Sequence, residues 1–247
     1  MNRVELIQGV FKRTSFKNYL EIGALSGNTF LRIKAKYKTA VDPSFKIPFE
    51  KKVKWLIKEP KNFNNKYFKE ESDSFFTNRK TYLKKVGSLG VVLVDGLHTF
   101  RASLNDVLNS LKYLDKNGII IMHDCYPSNE AAALPTKLFP TEQEQKSAKG
   151  WTGEWCGDVW KTIPYLLENL QGLLDVHVLN CDHGLGIIRI KNKIDEKDLV
   201  ISESQFSKIN KLTYKDFEQN TEALLNLKPA DYAETILSEI SAGNINK

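Results

Sequence analysis

Long apolar runs are missing from this chain: no stretch approaches the roughly 18 residues that a bilayer-crossing helix needs. Cysteine is scarce. Cys125, Cys156 and Cys181 are an odd number without Cys-x-x-Cys spacing, which argues against a disulfide framework and for reduced packing thiols in a cytoplasmic protein. Glycine (14) and proline (8) are too few among 247 residues for a collagen-like or low-complexity chain. The opening residues Met1 to Leu6 include an acid and lack an apolar core, so no secretory signal is expected. Charge of one sign is not dominant either. Thirty-six basic residues stand against 30 acidic ones, and the lysines are scattered through 34–85 and 191–215. A net charge of +6 therefore does not predict a nucleic-acid partner, and a mildly basic face suits an anionic small substrate equally well. With 41% hydrophobic and 27% charged residues, the composition is that of one large globular domain.

What is present is an alternation of short β-rich runs with helical ones, the pattern of a mostly parallel sheet covered on both faces. A leading amphipathic helix is expected over 3–16, a first strand over 18–22 stopped by Gly23, and a helix from about Gly27 to Lys36. Strands are expected at 39–42, 66–70 and 91–94, with a helix over 74–86 between the last two. Val91-Val92-Leu93-Val94 reads as a strand buried on both faces. A helix over 100–115, closed by Asn117-Gly118, leads to a fifth strand over 119–122. Residues 125–157 form a long irregular segment, a length usually reserved for function or disorder. A helix over 158–170 and two strands, 175–180 and 184–190, complete seven strands, the last antiparallel through the tight link Cys181-Asp182-His183. The expected fold is Rossmann-like and doubly wound over 1–194, with a helical extension over 195–247 packed on it. The leading helix and the extension are candidates for a homodimer surface.

Glu21-Ile22-Gly23-Ala24-Leu25-Ser26-Gly27 lies at a strand-to-helix turn, where glycines let backbone approach a ligand. Asp42 ends the next strand 19 residues after Gly23, close to the offset at which a carboxylate meets a ribose diol. The turn lacks the G-x-G-x-x-G of a dinucleotide site, and an acid before it suits an ammonium group better than a phosphate. Purely structural roles compete: tight strand–helix packing for the glycines, and a turn cap before Pro43 for Asp42.

With Glu21, Gly23, Gly27 and Asp42 in this order, the chain resembles the class I S-adenosylmethionine-dependent methyltransferases. Further marks resemble a bacterial small-molecule and glycan-associated subgroup: Ser72-Asp73-Ser74-Phe75-Phe76, Asp95-Gly96-Leu97-His98, Asn105-Asp106, His123-Asp124 and Gly157-Asp158-Val159-Trp160-Lys161. The resemblance spans about residues 18–190. It implies that Glu21, Gly23 and Gly27 surround the methionine half of S-adenosylmethionine, that Asp42 binds its ribose, and that Asp73 and Ser74 lie by the adenine. Asp95 would face the sulfonium and the acceptor. Ser74 or Asp73 could instead cap the helix that follows.

His98 is the candidate general base, because an imidazole with its ordinary pKa near 6.5 suits removal of a hydroxyl proton at neutral pH. Asp95, His123 and Asp124 form a candidate metal group, the alternative being hydrogen-bonding roles for His123 and Asp124, with His123 a candidate substrate contact. Related catechol-type and macrolide-sugar methyltransferases hold magnesium with acids or amides at these strand ends, and the imidazole of His123 departs from that pattern. Nickel, manganese, zinc or iron would tolerate the nitrogen better. Trp151 and Trp155 are candidates for a lid over a sugar or other small acceptor, whereas Trp160 and Asp158 are expected to be structural. The expected function is O-methylation of a small hydroxylated metabolite. A nucleic-acid methyltransferase, a nicotinamide oxidoreductase on the same fold and a non-catalytic S-adenosylmethionine-binding module are the alternatives.

Overall fold

The computed structural model describes residues 1–245, with side chains to residue 242. In chain order the regular elements begin with α1 (Arg3–Arg13), β1 (Asn18–Ile22), β2 (Tyr37–Val41), α2 (Phe49–Lys58) and β3 (Lys66–Phe68). Then come α3 (Ser72–Asn78), α4 (Lys80–Val86), β4 (Leu89–Val94), α5 (Phe100–Leu111), β5 (Leu114–Met122) and α6 (Glu142–Ser147). The chain finishes with α7 (Thr162–Asn169), β6 (Leu174–Leu179), β7 (Leu185–Ile190), α8 (Glu203–Asn210), α9 (Tyr214–Leu225), β8 (Leu227–Lys228) and α10 (Tyr232–Ile245).

One eight-stranded sheet runs in the order β3-β2-β1-β4-β5-β7-β6-β8. All neighbours are parallel except β7, which is antiparallel to both β5 and β6. The strand order reverses at β1 and β4, so their C-terminal ends open the crevice in which ligands of such sheets bind. The side-chain period of two sends Leu20, Ile22, Val92, Val94, Ile120 and Met122 to one face, where α3, α4, α5, α7 and α9 cover them. Tyr19, Val91, Leu93, Ile119 and Ile121 go to the other face, under α1 and α10. Leu6, Ile7 and Val10 of α1 share that second core with Ala233, Ile236, Leu237 and Ile240 of α10, so the two helices cover each other's apolar faces within one chain.

Three expectations are corrected. No α-helix follows β1: the chain makes only a three-residue 3-10 turn, Phe30–Arg32, before entering β2. Leu31, Ile33 and Ala35 are buried while Arg32, Lys34 and Lys36 are exposed, an alternation that no helix can satisfy. The turn's carbonyls are taken from outside. Buried Lys38 donates its ammonium hydrogens to Phe30 O (2.8 Å), Ile33 O (2.9 Å) and Asn62 Oδ1 (2.5 Å). Asn117-Gly118 does not close a helix but lies inside β5, beside a register shift in the β4–β5 ladder. The sheet also has an eighth strand: Leu227–Lys228 adds to the edge of β6, released from α9 by Asn226 in a left-handed cap. In addition, the single helix expected over 74–86 is two helices that meet at Arg79, and the irregular 125–157 segment contains α6.

Candidate active site

The β1–β4 crevice holds a cavity of ≈ 580 Å³ lined by Glu21, Gly23, Leu25, Asp42, Asp73, Asp95 and Asp106, among others. That volume lies within the usual range for small-ligand pockets. Its floor depends on Gly23, whose φ is +86° and whose Cα faces the Asp95 carbonyl so closely that an added Cβ would sit 1.9 Å from the oxygen. Asp42 pins the loop above: its carboxylate accepts from Leu25 N (2.7 Å) and Ser44 N (2.6 Å). A carboxylate offers about four lone-pair sites, so two remain for a ligand.

Glu21 is buried at the cavity wall and accepts a 2.5 Å hydrogen bond from the Tyr19 hydroxyl. Burial raises its pKa to about 8, although the Tyr19 bond favours the charged form. Burial likewise pushes Asp106 up to about 7, and its Oδ1 has no protein partner. Two of the expected cofactor residues lie outside the cavity wall. Ser74 is exposed on α3, where Ser72 lines the cavity in its place. Gly27 (φ +68°) instead makes room for Ile47, whose Cδ1 would be 2.9 Å from an added Cβ.

A second cavity of ≈ 350 Å³ adjoins the first and is lined by Arg3, Asp95, His98, His123, Asp124, Trp155, Cys156, Asp182 and His183, with Glu154 at its edge. Arg3, Asp95 and His98 line both. β5 ends at Met122 and Asp124 adopts a left-handed φ of +62°, and this bend brings the side chains of His123 and Asp124 together. Leu25, Asp124, Asp182 and His183 all have left-handed φ and all line one of the two cavities, the kind of stored backbone strain that clusters at functional sites.

His98 is held by its Nδ1, 2.7 Å from the Trp155 carbonyl. A carbonyl only accepts, so Nδ1 carries a proton, and Nε2 on the other side of the ring lies 3.3 Å from Asp124 Oδ2. The ring stacks on Trp155 at 4.9 Å between centroids, and Trp155 is fixed by its Nε1 donating to Leu134 O. Gly157, at φ +60°, lies so near the His98 carbonyl that a Cβ would approach to 1.9 Å.

His123 Nδ1 lies 2.9 Å from Asp124 Oδ2 and 3.3 Å from Asp95 Oδ1, and its Nε2 lies 3.6 Å from Asp182 Oδ1. Burial opposes charge on this ring, but the close carboxylates of Asp124, Asp182 and Asp95 outweigh it and push the pKa up to about 11. Burial also opposes charge on Asp124, yet His123 and His98 hold that carboxyl below its ordinary value. Arg3 is the residue that no sequence signal marked. It opens α1, reaches Asp182 (3.2 Å) and Asp95 (3.7 Å), and touches His123 Nε2. The donor atoms of Asp95, His98 and Asp124 converge within 4.8 Å of one another, with the His123 ring alongside.

The remaining expected residues separate clearly. Trp151 is half-buried against Phe139 and lines neither cavity. Trp160 is core, packed on Phe217, and Cys125 and Cys156 are buried free thiols. Asp158 does not cap its own helix but accepts from Phe100 N (2.7 Å), at the start of α5.

Residues 20–125, from β1 to just past β5, match a family described as "Methyltransferase domain". No curated protein matches the chain. Among solved structures, cofactor-bound Rv0187 from MTB is similar at a TM-score of 0.54 and 10% identity, over 78% of this chain and 82% of that one. The O-methyltransferase TomG of Streptomyces achromogenes, in complex with SAM and involved in tomaymycin synthesis, gives 0.51 and 11%, over 76% and 79%. An O-methyltransferase from Bacillus cereus in complex with SAH gives 0.51 and 11%, over 76% and 80%. At these identities the likeness concerns the fold: this chain has the Rossmann-like methyltransferase architecture, with additional C-terminal elements.

Proposed function

We propose that this protein is an S-adenosylmethionine-dependent methyltransferase that methylates an oxygen of a small hydroxylated acceptor such as a sugar. The observation that carries this reading is the shared wall: His98 and Asp95 line both the larger cavity at the β1–β4 crevice and the smaller cavity beside it. In this reading the larger cavity takes the cofactor. Glu21 receives the amino-acid ammonium, Asp42 the ribose diol, and Asp73 with Asp106 flank the adenine end. The smaller cavity takes the acceptor.

S-adenosylmethionine supplies an electrophilic methyl on a sulfonium. The chain's own residues do the rest. The acceptor hydroxyl gives its proton to His98 Nε2, the oxygen forms its bond to the methyl carbon, and the carbon–sulfur bond breaks with its electrons left on sulfur. Asp124 lies against Nε2 and stabilises the imidazolium that results, while the Trp155 carbonyl keeps the tautomer that makes Nε2 the base. His123 and Arg3 balance the charge of Asp95, Asp124 and Asp182 so that the acids can stand together. Holding donor and acceptor at attack distance in a site walled by Leu97, Leu138 and Trp155 supplies the remaining acceleration.

Calorimetry should detect uptake of S-adenosylmethionine and of its demethylated product. His98→Ala should leave that affinity within a few-fold while cutting turnover by about 10²–10⁴, the usual contribution of a general base. Folded protein that takes up neither compound would overturn the reading.

A second reading rests on the convergence of Asp95, His98 and Asp124 within 4.8 Å. The mixed nitrogen and oxygen donors fit a first-row divalent ion better than magnesium. Those three residues would then hold the ion, which would polarise the acceptor hydroxyl as a Lewis acid. Turnover that survives exhaustive chelation supports the base reading; turnover lost to chelator and restored by manganese or nickel supports the second.

A further inference from the structure

α2 faces the wrong way for a helix of a doubly wound fold: none of its residues is buried. It is fastened to the body by Trp55, packed against the core, and by Lys51, whose ammonium donates to Ser26 O (2.7 Å) and Asn28 Oδ1 (2.5 Å). The opposite face is apolar and open. Phe49, Val53, Leu56 and Ile57 recur at the spacing of one helical stripe, and they are 75%, 40%, 39% and 78% exposed. Phe63, in the 3-10 turn that follows (Pro60–Asn64), is 82% exposed.

Charge accumulates around this stripe. Residues 46–66 hold seven lysines (46, 51, 52, 54, 58, 61 and 66) against only Glu50 and Glu59, so this segment accounts for five of the chain's six net positive charges. Six of the seven lysines are exposed, and Glu59 is buried. A partner must therefore offer negative charge and an apolar interior at once. A second copy of this face would set one group of lysines against another. A nucleic acid would satisfy the lysines but leave Val53 and Ile57 in water. An anionic lipid surface satisfies both, since apolar side chains enter at the acyl boundary while lysines stay among the headgroups.

We propose that α2 and the turn after it form an interfacial anchor that seats this protein on an anionic lipid bilayer. No helix among the described residues is long and apolar enough to cross a membrane, so the attachment is peripheral. Because Lys51 joins α2 to Ser26 and Asn28, which line the larger cavity, the anchor adjoins the wall of the candidate active site. The anchor does not depend on the proposed methyl transfer.

Co-sedimentation of the full chain with vesicles tests the proposal, using pure phosphatidylcholine and an equimolar mixture with phosphatidylglycerol. The wild type should pellet with the mixed vesicles and not with phosphatidylcholine alone, and raised salt should weaken it. The exposed pair Phe49→Ser/Ile57→Ser and the charge pair Lys54→Glu/Lys61→Glu should each reduce binding by about tenfold or more while leaving the thermal melt unchanged. A Phe49→Trp variant should show a blue-shifted emission on the mixed vesicles. The proposal is overturned if the wild type stays in the supernatant with both vesicles, or if either pair binds as the wild type does. It is equally overturned if sedimentation velocity shows a dimer that Phe49→Ser/Ile57→Ser dissolves, because the face then belongs to a second copy.

Discussion

Replacing Gly23 with alanine tests the geometry on which the larger cavity depends. The added Cβ would lie 1.9 Å from the Asp95 carbonyl oxygen, 2.4 Å from its carbon and 2.5 Å from the Gly96 Cα. All three are backbone atoms, so no side chain can swing away. Relief requires the tips of β1 and β4 to part by more than an ångström, breaking the bond from Asp95 N to Ile22 O, now 2.9 Å. The φ of +86° adds a strain of roughly 1–2 kcal/mol for any residue with a Cβ. Overpacking adds about 1–3 kcal/mol. The expected loss is therefore about 2–5 kcal/mol, against a typical total stability of about 5–15 kcal/mol. Gly87 is the internal control: its φ is +81° and nothing lies within 4 Å of an added Cβ, so Gly87→Ala should show the strain alone. Urea denaturation of both variants separates the steric part from the conformational part. Calorimetry with S-adenosylmethionine should show binding weakened at least about a hundredfold in Gly23→Ala, near 2.7 kcal/mol, and little changed in Gly87→Ala. Equal stability and equal cofactor uptake in the two variants would refute the reasoning.

Three further outcomes are expected. Glu21, with its pKa raised to about 8 by burial, is mostly protonated at pH 7 and must ionise to meet an ammonium group. Cofactor binding should therefore release a proton and tighten by about tenfold from pH 6 to pH 7, levelling off above pH 8. Calorimetry in buffers of different ionisation enthalpy reads this directly, and a signal independent of buffer would contradict it. Lys38→Met leaves Phe30 O and Ile33 O without their donor, while Asn62 Oδ1 keeps its bond from Asn65 Nδ2. The cost should be about 2 kcal/mol or more, since each stranded buried acceptor costs about 1–3 kcal/mol, and it should appear as a lower denaturation midpoint. Gly157→Ala drives a Cβ to 1.9 Å from the His98 carbonyl. Displacing the base should lower turnover about a hundredfold with cofactor affinity changed by no more than a few-fold; unchanged kinetics would argue against His98 as the base.

Much of this arrangement could be read along the chain. Val91 to Val94 and Ile119 to Met122 are too apolar for anything but buried strands, and β1 and β7 lie within a residue of where local pattern puts them. The missing helix after β1 was also legible, in the strict alternation of Leu31-Arg32-Ile33-Lys34-Ala35-Lys36, although a glycine-led turn after a strand argues for a helix. Asn117-Gly118 carries the local mark of a helix stop, but pairing of Leu114 with Leu89 draws the segment into the sheet, and only long-range hydrogen bonding decides that.

The sequence by itself determined the layered α/β fold, the acid–glycine loop after β1, and the carboxylates and imidazoles at the ends of β4 and β5. These follow from side-chain periodicity and from glycines at backbone positions closed to other residues, which are local properties. Tertiary structure alone decided which of those groups meet. It brought Arg3 from the first helix and Asp182 from the β6–β7 link, 179 residues apart, to a 2.8 Å hydrogen bond beside His123. It placed His98 over Asp124 and left the apolar stripe of α2 facing outward. Such meetings depend on how distant elements stack across a sheet, and no local pattern in the chain encodes the distance between them.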